Sequence, residues 1–239
     1  MRLLIVIIFS ISLIPAAVGQ SYAFGLKGGL TVANQKWSGF DKEPLLKAHG
    51  SAFIETAEED ESTSLFAQLG YHLKGSANRY RPVNWINGEI YDFQSDKFIF
   101  RNISLVLGAK NRFAAKNFGN LYYILAIRGD YTLNTNLDAY TEVNSFYPIF
   151  PFDEYVRKLN AGATLGVGAE WGLSELVQGL AELTVNPDVT QQYFQPPLAN
   201  IINPYQPTQT YTIPERKIFN FTIELTLGLR FTHKIVYVD

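Results

Sequence analysis

Between positions 218 and 231 the chain alternates without a break. Phe219, Phe221, Ile223, Leu225, Leu227, Leu229 and Phe231 occupy the odd positions, and Asn220, Thr222, Glu224, Thr226, Gly228 and Arg230 the even ones. Successive side chains of a strand point to opposite faces, so this pattern predicts a strand with one wholly apolar face and one polar, charged face. Seven large apolar residues in a single file, over a length that a tilted strand needs to cross a bilayer, fit a face turned to lipid better than the core of a water-soluble sandwich.

Seven further segments carry the same period of two: 22–33, 48–58 (the weakest), 64–75, 98–110, 120–133, 159–171 and 176–186. Their connections differ in length by turns. Residues 34–47, 76–97, 135–155 and 188–215 make long ones, whereas 59–63 and 172–175 are short and 111–119 is moderate. An even number of strands with this rhythm predicts an all-β fold, an eight-stranded antiparallel up-and-down transmembrane β-barrel with short periplasmic turns and long extracellular loops. Aromatic residues on the apolar files fall near strand ends, with Tyr22, Tyr123, Trp171 and Phe231 on the periplasmic side and Tyr131 and Phe219 on the outer side, as interfacial girdles require. By parity the one charge on the lipid face is Arg101. Near the outer interface it costs about 0–1 kcal/mol, against about 2–4 kcal/mol at the midplane.

The N-terminus reads as an export signal: Arg2, an apolar run over 3–14, Pro15, then the small residues Ala16, Ala17 and Gly19. Residues 1–19 are therefore expected to be the signal peptide and 20–239 one barrel domain. No later segment has the roughly twenty apolar residues of a spanning helix. The absence of cysteine excludes disulfides and a lipidated N-terminal cysteine. A formal charge of −2 without a basic stripe gives nucleic-acid binding no electrostatic support. Mean hydropathy near zero does not count against a membrane barrel, because its polar face dilutes its apolar one.

The polar files carry both signs. Lys27, Glu55, His72, Arg128, Asp130, Glu170, Glu182, Glu224 and Arg230 are expected in the lumen, which eight strands leave narrow enough for side chains to fill. Lys27 is expected to pair with Glu55 and Glu224, and a small-solute channel would need a wider bore. His49-Gly50-Ser51, with Glu55 beyond, offers the residue types of a serine nucleophile in a lipid-modifying barrel enzyme. Their shared lumenal parity argues against it, since a lipid approaches from outside. His72 and His233 have no second ligand at metal spacing, so neither a metal nor any other cofactor is expected. The two last outer loops are apolar and proline-stiffened. Phe146, Tyr147, Phe150 and Phe152 belong to one, and Tyr193, Phe194, Ile201, Ile202, Tyr205 and Tyr211 to the other. Such loops either close over the barrel as a lid or bind a protein partner.

Four motifs in order, Gly25-Leu26-Lys27-Gly28-Gly29-Leu30, Leu69-Gly70-Tyr71 with Lys74-Gly75, the glycine alternation over 162–168, and Leu227-Gly228-Leu229-Arg230-Phe231, resemble the PorT-like outer-membrane β-barrel family of the Bacteroidota. The resemblance covers nearly all of the mature chain. It implies a barrel of the bacterial outer membrane, embedded in outer-membrane lipid and inserted by the barrel-assembly machinery; the expectation of a non-enzymatic scaffold or accessory subunit of an outer-membrane assembly comes from the apolar outer loops. Such chains commonly end on a terminal aromatic that this machinery recognises. Here eight residues follow Phe231, so either that signal is altered or the last strand continues.

Overall fold

The computed structural model describes residues 21–37, 42–57, 62–81, 88–92, 94–115, 119–146, 150–203 and 206–233. The expected signal peptide, Tyr147, Tyr205 and residues 234–239 lie outside these. Eleven strands follow one another: β1 (Tyr22–Trp37), β2 (Glu43–Thr56), β3 (Thr63–Tyr80), β4 (Gln94–Ala115), β5 (Gly119–Thr135), β6 (Leu159–Gly172), β7 (Val177–Pro187), β8 (Tyr193–Gln195), β9 (Leu198–Asn203), β10 (Gln206–Ile213) and β11 (Arg216–His233). A short helix α1 (Thr141–Phe146) lies between β5 and β6.

The strands β1 to β7 pair in order, each antiparallel to the next, and β11 follows β7. The ring closes where β11 returns to β1, in register from Tyr22 opposite His233 to Trp37 opposite Ile218. Closure leaves no open backbone edge in the wall, which is the condition for spanning hydrocarbon with strands. This is the eight-stranded up-and-down barrel that the alternation predicts. The remaining strands belong to the last outer connection: β8 adds to the upper end of β11, and β9 and β10 pair with each other, and among the described residues with no other strand.

Burial follows the period of two around the whole ring. Leu26, Ile127 and Leu227 are 62–70 % exposed on the outside, while Thr31, Thr132 and Thr226 face the interior and are buried. An uninterrupted apolar exterior of this extent is satisfied by acyl chains, and a closed barrel with short connections at the end where β1 begins and β11 finishes is the architecture of a bacterial outer membrane. On β5 the outward Tyr123 and Tyr131 mark the two interfaces. Eight residues separate them, about 26 Å along the strand, or about 20 Å across the bilayer at a tilt of about 40°, close to the expected apolar band.

Most of the strands run past their expected ends. The wall on the outer side is taller than the lipid-facing pattern suggests, so the first outer loop shrinks to residues 38–42 and the second to 81–93. Above the bilayer nothing forces an apolar outward file, and pairing continues there without the alternation that announces it.

Candidate functional site

The inward files meet as a layered set of ion pairs. Toward the periplasmic end, Glu55 accepts from Arg112 at 2.5 Å and from the Arg230 Nε, and its other oxygen forms an ion pair with Lys110 at 3.0 Å. Glu170 takes the other edge of Arg112 at 2.9 Å and Lys110 at 3.1 Å. Lys27 pairs with Glu182 at 2.5 Å, and the Tyr122 hydroxyl donates to the same carboxylate at 3.0 Å. Nearer the outer side, Lys74 bridges Asp130 at 2.7 Å and Asp188 at 2.8 Å. Arg128 holds both of those carboxylates as well, Asp130 at 3.0 Å. Glu224 receives His72 Nδ1 at 2.8 Å. Six cations (Lys27, Lys74, Lys110, Arg112, Arg128, Arg230) thus meet five carboxylates (Glu55, Asp130, Glu170, Glu182, Asp188), and the sixth, Glu224, is met by His72. In a narrow, poorly hydrated lumen an unpaired charge is costly, and balance of this kind lets so many charges fill it.

The expected pairing of Lys27 with Glu55 and Glu224 is not what the register allows. Lys27 stands opposite Ser51 on β2 and Gly228 on β11, whereas Glu55 stands opposite Ala23 and Glu224 opposite Thr31. Each is displaced along β1 by four residues, about 13 Å, in opposite directions. Lys27 reaches past β11 to Glu182 on β7 instead. Lys74, Lys110, Arg112 and Asp188 are further members of the network. The first three share the inward parity of their neighbours, while Asp188 lies just past β7, where no alternation marks it.

Between the two ionic layers lies a cavity of about 20 Å³, lined by Ser51, His72, Arg128, Glu182 and Glu224 among others. That volume holds about one water molecule. His49 is engaged elsewhere, with Thr31 Oγ1 at 2.8 Å and Thr226 Oγ1 at 3.0 Å, and its ring stacks on His72 at 5.3 Å. Glu55 is consumed by its three cations. The serine-enzyme candidate His49-Gly50-Ser51 with Glu55 is therefore not assembled. Ser51, His72 and Glu224 surround the cavity in its place, with the Ser51 hydroxyl and His72 Nε2 lacking protein partners. They sit inside the wall, away from the lipid face. No group of three His, Asp or Glu side chains among the described residues is placed to hold a metal ion.

The outer mouth is closed by an apolar cluster. Trp37, Phe98, Phe100, Leu137, Tyr193 and Ile218 are buried together, and Tyr140, Phe150, Tyr155 and Val156 pack on them. The Phe98 ring lies 5.1 Å from Trp37, 5.3 Å from Tyr140 and 6.0 Å from Phe150. Polar bonds pin the loop above it: Phe150 N–H donates to Asn144 Oδ1 at 2.9 Å and Phe152 N–H to the Tyr193 hydroxyl at 3.1 Å. Lys42 lies over the Trp37 ring at 4.6 Å, and burial together with neighbouring Arg216 lowers the pKa of its ammonium.

Of the residues expected to bind a partner, Tyr193 is fully buried and Phe150 packs into the lid, so neither is a free contact. Phe152 is half-buried and stacks edge-on against Tyr155; Phe194 is half-buried between Arg157 at 5.3 Å and Lys217 at 5.7 Å. A polar lumen under an open mouth would admit water to these rings, and capping it buries them. The Phe146 side chain, Tyr147 and Tyr205 lie outside the described residues. What remains outward is the β9–β10 hairpin, with Ile202 63 % and Tyr211 41 % exposed. It belongs to a run, 189–214, without a single charged side chain.

No protein-family profile and no curated protein matches this sequence. Among solved structures, the chain is similar to neisserial surface protein A (10 % identity, TM-score 0.46, covering 88 % of this chain and 96 % of that one). It is also similar to the outer membrane protein OprG from Pseudomonas aeruginosa (8 %, TM-score 0.43, 89 % and 97 %). A third is Ail, the attachment invasion locus protein of Yersinia pestis (9 %, TM-score 0.38, 89 % and 99 %). The barrel assignment rests on the closed strand ring and its apolar exterior.

Proposed function

We propose that this protein is a non-enzymatic integral outer-membrane barrel that works from its outer face, as a scaffold or accessory subunit that binds a protein partner. The observation that carries this reading is the occlusion of the lumen, by paired charges below and by the aromatic lid above. With the described lumen filled and Ser51 inside the wall, the outer surface is left for recognition. There the exposed β9–β10 hairpin, within a run that carries no charge to repel an incoming strand, is suited to addition of a partner's extended segment.

The finer reading, membership of the PorT-like family of the Bacteroidota and a secretion-related assembly, draws on the opening and closing motifs. These face each other across the β1–β11 seam, Gly25 opposite Arg230 and Gly28 opposite Leu227. A Cβ on Gly25 would lie 2.1 Å from the Leu229 carbonyl oxygen, so that glycine is required by the close approach of the two strands.

The test is recovery of bound protein from native membranes, with wild type and with residues 197–213 replaced by a Gly-Ser linker. Expected is a partner that accompanies wild type and is lost with the replaced hairpin, while the folded barrel persists on gels. A partner that stays despite the replacement moves the contact elsewhere, and a wild type that brings down nothing ends the scaffold reading.

A further inference from the structure

On the outward files the charges are unevenly placed. Lys36, Lys97, Arg101 and Lys217 all stand at the outer end. The inner end carries Tyr22, Phe24, Tyr123, Trp171 and Phe231 and, among the described residues, no outward lysine or arginine.

The depth of two of these cations is set by their neighbours. Tyr71 on β3 and Tyr131 on β5 both lie in register with Ile103 of β4, and all three side chains are exposed to lipid. This is the outer aromatic girdle, which marks the headgroup boundary. Arg101 is the next outward residue above Ile103, about 7 Å further along the strand, and Lys97 lies about 13 Å beyond it on the same face. Arg101 Nη1 donates to Asn134 Oδ1 at 2.9 Å, which orients the guanidinium, and no carboxylate among the described residues pairs with it. By contrast, Arg79, higher on the neighbouring strand, is held by Glu43 at 2.9 Å.

From this placement we infer that Arg101 and Lys97, above the Tyr71–Tyr131 girdle and braced by Asn134, form a binding site for the phosphate of an outer-leaflet lipid. A guanidinium at headgroup depth needs an anion that none of the described residues supplies, and it matches phosphate in a forked geometry. Lys97, on the same outward file above, is long enough to supply a second point charge, since a lysine stem can lie along an apolar wall while its ammonium stays at the headgroups. The site rests on the barrel standing in a bilayer with this end outward.

The purified, detergent-folded barrel, incubated with bisphosphorylated lipid A or with its dephosphorylated form, is examined by native mass spectrometry. Expected is about tenfold greater retention of the phosphorylated lipid, a preference abolished by Arg101→Gln with Lys97→Gln and preserved in Arg79→Gln. Excess inorganic phosphate should leave the bound lipid in place. Equal retention of both lipids by wild type overturns the site without any variant having to fold. So does a preference that survives the double substitution or falls equally in Arg79→Gln, and displacement by inorganic phosphate would make it a free-anion site instead. A wild type that needs detergent yet shows no preference fails here alone, since the membrane barrel stands.

Discussion

Removing the Lys27 ammonium is the sharpest test of the lumenal geometry, because Lys27 pairs with Glu182 on β7, one strand beyond its neighbour β11, and the register denies it the two partners expected on its adjoining strands. The Lys27 side chain is 7 % exposed and that of Glu182 is 2 % exposed. Truncating one member of such a buried pair leaves the other uncompensated, at about 3–5 kcal/mol. Glu182 would keep the Tyr122 hydroxyl at 3.0 Å and a distant Lys110 at 3.9 Å, which places Lys27→Met near the lower bound, about 3 kcal/mol. For a chain of this size that is a drop in Tm of about 6–12 °C. Adding Glu182→Gln removes the stranded charge, so the double variant should be more stable than the sum of the singles by about 1–3 kcal/mol. The same cycle with Glu224→Gln should be additive within about 0.5 kcal/mol. Urea unfolding in detergent, followed by tryptophan fluorescence, measures all the corners. Additivity with Glu182 together with coupling to Glu224 or Glu55 would refute the assigned register.

Phe98→Ala, in a fully buried ring of the lid, should cost about 3–5 kcal/mol by the same unfolding assay, and a loss below about 1 kcal/mol would mean the lid is not packed. Gly29→Ala places a Cβ 1.9 Å from the Leu225 carbonyl oxygen and should destabilise by at least about 1–3 kcal/mol, whereas Gly50→Ala, whose nearest neighbour is 3.9 Å away, should change stability by less than about 1 kcal/mol; equal effects would contradict the seam geometry. In planar bilayers wild type should show no single-channel steps, and Phe98→Ala should remain silent because the ionic layers lie beneath the lid; conductance from that variant would locate the only seal at the mouth. Ser51→Ala should leave any lipid A deacylation signal unchanged, and a fall in turnover would revive the serine-enzyme reading.

The ring was legible because two solvents act on every strand: lipid selects one file and a crowded polar lumen the other, so parity alone sorts Leu225 outward and Glu224 inward. Strand ends were less so. Trp37, Leu45 and Phe98 lie above the bilayer, where inward residues turn apolar to form a lid and the alternation loses its contrast. Large apolar residues on the inward file near the outer end, Trp37, Phe98, Phe100 and Ile218, were the available sign of that lid. Which charge meets which was not legible, since the depth of a residue depends on how far each strand slides past the next. A displacement of four residues was enough to part Lys27 from Glu55 and Glu224. The outer cations were visible one at a time, and only the alignment of Tyr71, Ile103 and Tyr131 across three strands gives Arg101 its depth.

The seam between the first strand and the last also constrains how the molecule comes into being. Until residues 216–233 have emerged, both β1 and β7 would present bare amide and carbonyl groups along most of their length, and hydrocarbon penalises each such group by several kcal/mol. A nascent chain halted before that point has no stable resting place in a bilayer. Insertion is therefore all or nothing, and release from whatever chaperones the open sheet must await the arrival of the final ribbon.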